Sequence, residues 1–547
     1  MGTHSVTNQV PPLEEYDLFS CDRALHETLA QLAPDAQLPE ARRLGTLAGS
    51  AKWIERGVLA NVNPPQLRAF DRTGERIDEV AFHPAWHQLL SIATEHGLHA
   101  APWQDRRAHP HLRRAVGFYL WSQVEAGHGC PISMTYAAIP ALRLQPDLAE
   151  IWEPRFAARS YDPQLAPIAA KTSALCGMAM TEKQGGSDVR ANTTSATAQG
   201  RGGAGAAYTL VGHKWFCSAP MSDAFLVLAQ APGGITCFLL PRVLPDGTRN
   251  PFAIQRLKDK LGNRSNASSE IEFDRTQVWA IGEEGRGVAT IVAMVNQTRL
   301  DCVLGSAALM RQGTAQAIHH ATYRTSFGKH LIEHPLMLNV LADLALESEA
   351  ATVLAMRLAF VADAAESDLT MAGLKRIGTA IGKFWICKRA VAHVGEAIEA
   401  LGGNGYVEES SLPRLYREAP VNSIWEGSGN INALDVLRIL KKDAASYAAL
   451  REEFAPLLED PKMEAILDSV DRELAGTQDD AQAAARRIVE RLALLWQGAL
   501  LRRYAPSFLA DAFITSRLAD GSGRIFGALG GQTPFARIVS RSAADIR

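Results

Sequence analysis

The 547-residue chain has no apolar run approaching the ~20 residues that cross a bilayer. Its opening, "MGTHSVTNQVPPLEEYDLF", lacks the basic-then-apolar order of an export signal. Cysteine is sparse: Cys21, Cys130, Cys176, Cys217, Cys237, Cys302 and Cys387 are odd in number, scattered, and never spaced C-x-x-C. That argues against a disulfide framework or a zinc ribbon and for reduced thiols. Neither sign of charge dominates, with 56 basic and 59 acidic residues netting −3, so composition alone points to neither nucleic acid nor membrane. The expectation is a soluble cytoplasmic protein.

Signature motifs of two large enzyme classes are also missing. No G-x-G-x-x-G opens a βαβ unit, so a Rossmann nucleotide domain is not supported. "HPAWH" (83–87) lacks the glutamate of H-E-x-x-H, and the neighbours His319 and His320 face different ways on a helix, so no metal site is expected. No repeat or low-complexity tract is visible. With 47% apolar and 21% charged residues the chain has ordinary globular usage, and its length implies several domains.

Helical periodicity runs to about residue 170, in "SCDRALHETLAQL", "FHPAWHQLLSIATEHG" and "HLRRAVGFYLWSQVEAG". From "LCGMAMTE" to about 284 the pattern becomes short apolar runs between turn signals: "YTLVGHKWFCSA", "AFLVLAQ", "ITCFLLPR" and "SSEIEFDRTQVWAI". Long helices then return over 287–325, from about Leu336 after Pro335, over 371–400 up to Leu401-Gly402-Gly403, and from near Asn430. Four such helices predict a bundle. The expected fold is α+β and mainly α. It has an N-terminal helical domain (1–175), a central β-barrel or sandwich (176–285), a four-helix bundle (286–440) and an additional helical domain (441–547).

Several segments could carry chemistry. "MAMTEKQGGSDVRANT" (178–193) offers Thr181, Ser187 and Gly185-Gly186 on a turn, where small residues let a backbone approach a phosphate or ring edge. A plain polar turn explains it equally well. Trp215 in "GHKWFCSAP" reads first as core packing. Arg324 in "YRTSFGKHLIEHP" could grip a pyrophosphate or simply end a helix at the surface. In "NSIWEGSGN" (422–430) Glu426 stands between an indole and a glycine-rich corner, an odd place for a solubilising carboxylate.

Taken in order, "MTE-x-x-x-GSDV", "KW", "TR", "R-x-x-FG", "LGGNGY" and "WEG" resemble the acyl-CoA dehydrogenase family over roughly residues 170–440. "ANVNPP", "MTEKQGGSDV", "LKDKLGNRSNAS", "PVNSIWEGSGN" and the C-terminal extension are similar to its AidB branch, flavoproteins of the adaptive response to alkylation. The resemblance implies FAD as cofactor and Glu426 as the base that takes the α-proton of an acyl thioester, with Arg299 adjoining it. It implies Met178, Met180 and Thr181 along the flavin's pyrimidine edge, and Gly186 and Ser187 near the pyrophosphate. Trp215, Phe216, Cys217 and Ser218 are implied beside the flavin. Ser428 and Asn430 are implied at the adenosine half, and Ile424, Trp425 and Gly427 are implied as further cofactor-binding residues. Arg324, Phe327, Gly402 and Gly403 are implied to reach the FAD of a neighbouring subunit, hence a homotetramer. Trp425 and a bound isoalloxazine would desolvate Glu426 and strengthen it as a base. Three departures, "TEKQGGSD" for "TEPGAGSD", Glu399 for a glutamine and Cys217 for a threonine, leave FAD binding intact and weigh against tight acyl-CoA use.

The branch also implies association with double-stranded DNA, protecting it or destroying alkylating agents, as an alternative to catalysis. Residues 486–547 hold ten arginines and four acids, a net +6, and 441–485 hold five basic and eleven acidic residues, a net −6. Arg438, Lys441, Lys442, Arg486, Arg487, Arg502 and Arg503 are the candidate phosphate contacts. Mutual neutralisation of the two stretches across a helical hairpin is an equal alternative.

Overall fold

The computed structural model describes residues 2–36, 38–519 and 525–545. They divide into two compact units, each assembled from separate segments: 1–54, 111–124 and 299–547 in one, and 55–110 with 125–298 in the other. The N-terminal helical region is therefore shared between the units, and the C-terminal extension belongs with the bundle.

In the β-containing unit a two-stranded ribbon, β1 (Gln66–Phe70) and β2 (Arg76–Ala81), precedes the main sheet. The main sheet comprises β3 (Cys176–Ala179), β4 (Ser195–Ala198), β5 (Ala207–Ser218), β6 (Ala224–Ala231), β7 (Gly234–Pro241), β8 (Ala253–Leu257) and β9 (Ser268–Ile281). Pairing runs β6–β4–β5–β9–β7 and returns to β6, so the sheet closes as a barrel, with β3 added on β6 and β8 on β9. Inward residues of alternating strands fill it, among them Tyr208, Leu210, Phe225, Val227, Phe238, Ile271 and Val278. A bulge in β5 between Lys214 and Cys217 turns both of these residues inward, so the intervening Trp215 and Phe216 both point away from the core.

The helical unit is built on Pro335–Ala364 and Leu369–Leu401, with the continuation of Gly287–Tyr323 from residue 299 and with Gly429–Lys442. Helix Pro110–Ser122 belongs here because its polar groups are satisfied here. Tyr119 donates to Asp22 at 2.7 Å, and Arg114 grips Asp301 with both arms.

The extension forms Ala444–Glu453, Pro461–Leu474, Gln478–Tyr504, Ser507–Ile514 and Phe535–Ser542. Its Trp496 is fully buried against Gly378, where an added Cβ would meet the indole at 2.4 Å. Buried ion pairs tie the extension to helix Pro335–Ala364: Arg517 with Asp343 and Glu347, and Arg541 with Glu349 at 2.6 Å. No helix among the described residues is long and apolar enough to cross a membrane.

Candidate active site

Helix Leu412–Asn422, which carries Pro420 near its end, runs out just before Glu426. Trp425 still donates back to Val421 at 3.1 Å, and the backbone then reverses hand. Glu426 has φ +58 and Gly427 φ +94, two consecutive residues in the left-handed region. For a non-glycine residue that conformation costs roughly 1–3 kcal/mol and persists only where the surroundings enforce it. Ser428, in extended conformation, then caps helix Gly429–Lys442. Glu426 therefore sits half-buried at the elbow between two helices.

Side chains from other helices hold the elbow's carbonyls. Arg299, only 8% exposed, donates from Nε to the Glu426 carbonyl at 3.0 Å and from Nη1 to Asp435 Oδ2 at 2.7 Å. Lys383 donates from Nζ to the Gly427 carbonyl at 2.8 Å, and Asn432 Nδ2 reaches the same oxygen at 2.6 Å. The buried Trp425 Nε1 has no hydrogen-bond partner among the described residues. Sequence reading named Arg299 but missed Lys383 and Asn432.

In the β-containing unit, Met178 and Met180 are half-buried on the face of the β3 segment opposite the buried Ala179. The turn after them is fixed from beneath. Glu182, fully buried, accepts from Lys214 Nζ at 2.8 Å, from Thr193 N–H at 2.7 Å and from Thr194 N–H at 3.1 Å. Burial alone would raise the Glu182 carboxyl, but Lys214 and the Thr193 and Thr194 donors hold it far below the usual carboxylate range. Burial in turn pulls the Lys214 ammonium down, against Glu182. This pair, inside the "TE" and "KW" motifs, was not singled out from sequence.

Above it, Thr181 accepts from the Trp215 N–H at 2.8 Å through its carbonyl. The Thr181 and Ser187 hydroxyls meet no hydrogen-bond partner among the described residues. A Cβ at Gly186 would lie 2.4 Å from Thr181 Oγ1, so the turn requires glycine there. Lys258 places its ammonium 3.4 Å from the Trp215 ring centre and 4.6 Å from that of Phe216.

Ser218 lies 3.4 Å from Ser268 through their hydroxyls. The Cys217 side chain is fully enclosed in the barrel core, which leaves its backbone as the part that can meet a cofactor. A cavity of about 570 Å³ in the same unit is lined by Arg76, Arg242, Arg249, His213 and Phe252, and Lys183 is the residue of segment 178–193 that reaches it.

Arg324 ends helix Gly287–Tyr323 and gives one arm of its fork to the Asn8 carbonyl. Phe327 (φ +51) and Gly328 (φ +77) form the two-residue turn between strands Thr325–Ser326 and Lys329–His330. Phe327 is 94% exposed there. Gly402 has φ +62, and beside it and Gly403 an added Cβ would meet nothing within 4 Å. Ile424 and Asn430 are exposed. The histidines serve structure: His87 Nδ1 pairs with the Tyr161 hydroxyl at 2.8 Å and His319 Nε2 with the Pro11 carbonyl at 2.7 Å.

Most arginines nominated for DNA are already partnered. Arg438 pairs with Asp435, Arg487 with Glu473, Arg502 with Asp511 and Arg503 with Glu453. Arg487 and Arg491 on Gln478–Tyr504 both reach Glu473 on Pro461–Leu474, which is the hairpin neutralisation weighed above. Lys441, Lys442 and Arg486 have no carboxylate partner among the described residues. Arg524 and Arg547, in the same stretch, lie outside the described residues.

Comparison with known proteins follows the same segments. The adaptive response protein AidB N-terminal domain matches residues 8–163. The acyl-CoA dehydrogenase middle domain matches 177–276, and the acyl-CoA dehydrogenase C-terminal domain matches 285–441. The AidB protein of Escherichia coli K12 is 46% identical over 514 residues, 93% of this chain and 94% of that one. The chain belongs to the acyl-CoA dehydrogenase family, in its AidB branch. Among solved structures, Caenorhabditis elegans ACDH-11 in complex with C11-CoA is 26% identical at a TM-score of 0.81, covering 99% of this chain and 93% of that one. An acyl-CoA dehydrogenase from Bacillus anthracis, complexed with FAD, shares the fold at a TM-score of 0.64 and 17% identity, over 84% and 79% of the two chains. Within this family, the unpartnered Thr181 and Ser187 hydroxyls beside the Gly186 turn are groups that suit a flavin nucleotide.

Proposed function

We propose that this AidB-branch protein is an FAD-dependent dehydrogenase of acyl thioesters in which Glu426 is the base. Met178, Met180, Thr181, Gly186, Ser187, Trp215, Phe216 and Ser218, with Ile424, Trp425, Gly427, Ser428 and Asn430, would hold the cofactor. FAD, when bound, supplies the acceptor for the hydride that leaves the β-carbon. The chain's part is to remove the α-proton: it passes to a Glu426 carboxylate oxygen while the electron pair of the Cα–H bond forms the new double bond.

The observation that carries this reading is the elbow itself. Two successive left-handed residues, each with its carbonyl gripped by a buried cation, are more than a surface carboxylate needs, and such enforced strain is typical of positioned catalytic groups. The test is an anaerobic titration of the purified protein with acyl-CoAs from isovaleryl-CoA to C11-CoA. Bleaching of the oxidised flavin band is expected. A protein that is colourless and takes up no added flavin overturns the reading.

The same reading places the protein in a homotetramer in which Arg324, Phe327, Gly402 and Gly403 serve a neighbouring subunit's FAD. The near-complete exposure of Phe327, and of Tyr406 at 80%, supports an apolar surface that another chain covers. Light scattering that gives the mass of a single chain contradicts it.

A second reading, association with double-stranded DNA in the alkylation response, is supported by Lys388 and Arg486. Both crowd the first turn of helix Gly429–Lys442, with Lys388 Nζ 2.8 Å and an Arg486 guanidinium nitrogen 3.5 Å from where a Gly429 Cβ would lie. Burial pulls the Lys388 ammonium down, and Arg486 and Lys383 add to the shift. Cations gathered without a carboxylate suit a phosphate. Arg486→Glu with Lys441→Glu and Lys442→Glu should abolish a salt-sensitive duplex shift, and Arg502→Glu with Arg503→Glu should not. The opposite ranking would return the contact to the paired arginines.

A further inference from the structure

We infer that Lys383 is a positioning residue for the base: its ammonium, from the middle of helix Leu369–Leu401, holds Gly427 so that the Glu426 carboxylate is presented by a backbone in the left-handed conformation. The inference rests on Glu426 being the base.

Lys383 is 1% exposed, and its Nζ donates to the Gly427 carbonyl at 2.8 Å. A buried ammonium without a carboxylate is costly, so its place needs a compensating role. No ion pair involves Lys383 among the described residues, and the acceptor its ammonium meets is a main-chain oxygen one residue past Glu426. Arg299 grips the preceding carbonyl, that of Glu426, at 3.0 Å. Two cations on different helices thus hold consecutive carbonyls of one strained dipeptide, each drawing its oxygen in a fixed direction. That restrains both peptide planes flanking Gly427, and so the backbone from which the Glu426 side chain departs.

Electrostatics add a second strand. Burial pushes the Cys302 thiol well up, Lys383 opposes that rise and Glu426 adds to it, so both charges are felt at the same buried thiol. Lys383 therefore also places positive charge beside the same buried thiol that feels Glu426. Asn432 bonds the same Gly427 oxygen at 2.6 Å, so removing the ammonium leaves that carbonyl a partner.

The test is a double-mutant cycle on the FAD-loaded protein: wild type, Lys383→Met, Glu426→Gln and the double variant. The limiting rate of anaerobic flavin reduction is read at saturating isovaleryl-CoA or C11-CoA, whichever reduces the wild type faster. Lys383→Met should slow reduction on the order of 10²-fold, as small misplacements of catalytic groups do, with FAD content and half-saturating thioester nearly unchanged. The double variant should be no slower than Glu426→Gln alone, because the lysine acts through the carboxylate.

A Lys383→Met rate equal to wild type beside a slow Glu426→Gln overturns the lysine's role and leaves the base standing. Multiplying losses also overturn it, since Lys383 then acts elsewhere. A Glu426→Gln variant as fast as wild type removes the base assignment and this inference with it. Hydrogen exchange of the apo-protein gives a readout independent of turnover: amides of 423–431 should exchange faster in Lys383→Met, and unchanged exchange contradicts the clamp. Lys383→Gln, shorter and uncharged, should reproduce both effects if the methionine variant folds poorly.

Discussion

Arg299 Nε donates to the main-chain carbonyl of Glu426 at 3.0 Å, while Nη1 of the same guanidinium holds Asp435 at 2.7 Å. One planar fork thus links the long helix Gly287–Tyr323 to Glu426 and to the helix that follows it. A lysine keeps the charge but cannot serve both directions at once. Arg299→Lys is therefore expected to fold and bind FAD, and to lose roughly 10- to 100-fold in flavin reduction. Stopped-flow reduction at saturating thioester checks this, and a wild-type rate removes Arg299 from the machinery.

Gly427 tolerates no side chain cheaply. At φ +94 an alanine is strained, and its Cβ would lie 3.1 Å from Ile431 Cγ2 and 3.3 Å from Arg299 Nη2. Gly427→Ala should cost about 1–3 kcal/mol of stability. Thermal melting measures it, and an unchanged melting temperature would show that the elbow relaxes.

The Glu182–Lys214 pair is fully buried and closed by the backbone donors of Thr193 and Thr194 and the carbonyl of Leu228. Removing one partner strands the other. Glu182→Ala is expected to destabilise by about 3–5 kcal/mol, as breaking a buried pair does, and to loosen the 181–188 turn so that FAD is lost on gel filtration. Retention of both stability and flavin would mean that the turn is held by other contacts.

Acid should release the C-terminal extension from the bundle. Burial alone would raise the Glu347 carboxyl, but Arg389 and Arg517 hold it down at about 2, against an ordinary value of 4.5. A carboxyl lowered by folding adds stability that is complete above its unfolded value and lost as pH falls toward its folded one. Between about pH 4.5 and pH 2 the group should therefore withdraw up to ~1.4 kcal/mol per pH unit. Urea melts across this window should be less steep in pH for Glu347→Gln than for wild type, and equal slopes would refute the linkage.

What the sequence could show depended on range. The barrel strands were legible because "AFLVLAQ" and "ITCFLLPR" are continuous apolar runs, buried on both faces as β6 and β7. The ribbon of β1 and β2 was not, because "QLRAF" and "RIDEVA" are half-exposed and charged, and "SATA" of β4 lacks bulky side chains. Glu426 stood out through its odd neighbours, whereas Lys383 is one of three lysines in its helix and becomes meaningful only once Gly427 is beside it. Two arginines of the extension have their carboxylates far off in sequence: Arg541 meets Glu27 across 514 residues, and Arg517 meets Asp343 across 174. Nothing local announces such a partner.

The most direct test of Glu426 as the base is rapid anaerobic mixing of FAD-loaded wild type and Glu426→Gln with the acyl-CoA that best reduces the wild type. The account predicts that the wild-type flavin band bleaches in a single turnover, while the variant binds the same thioester and stays oxidised on that timescale. Equal bleaching of both proteins would contradict it.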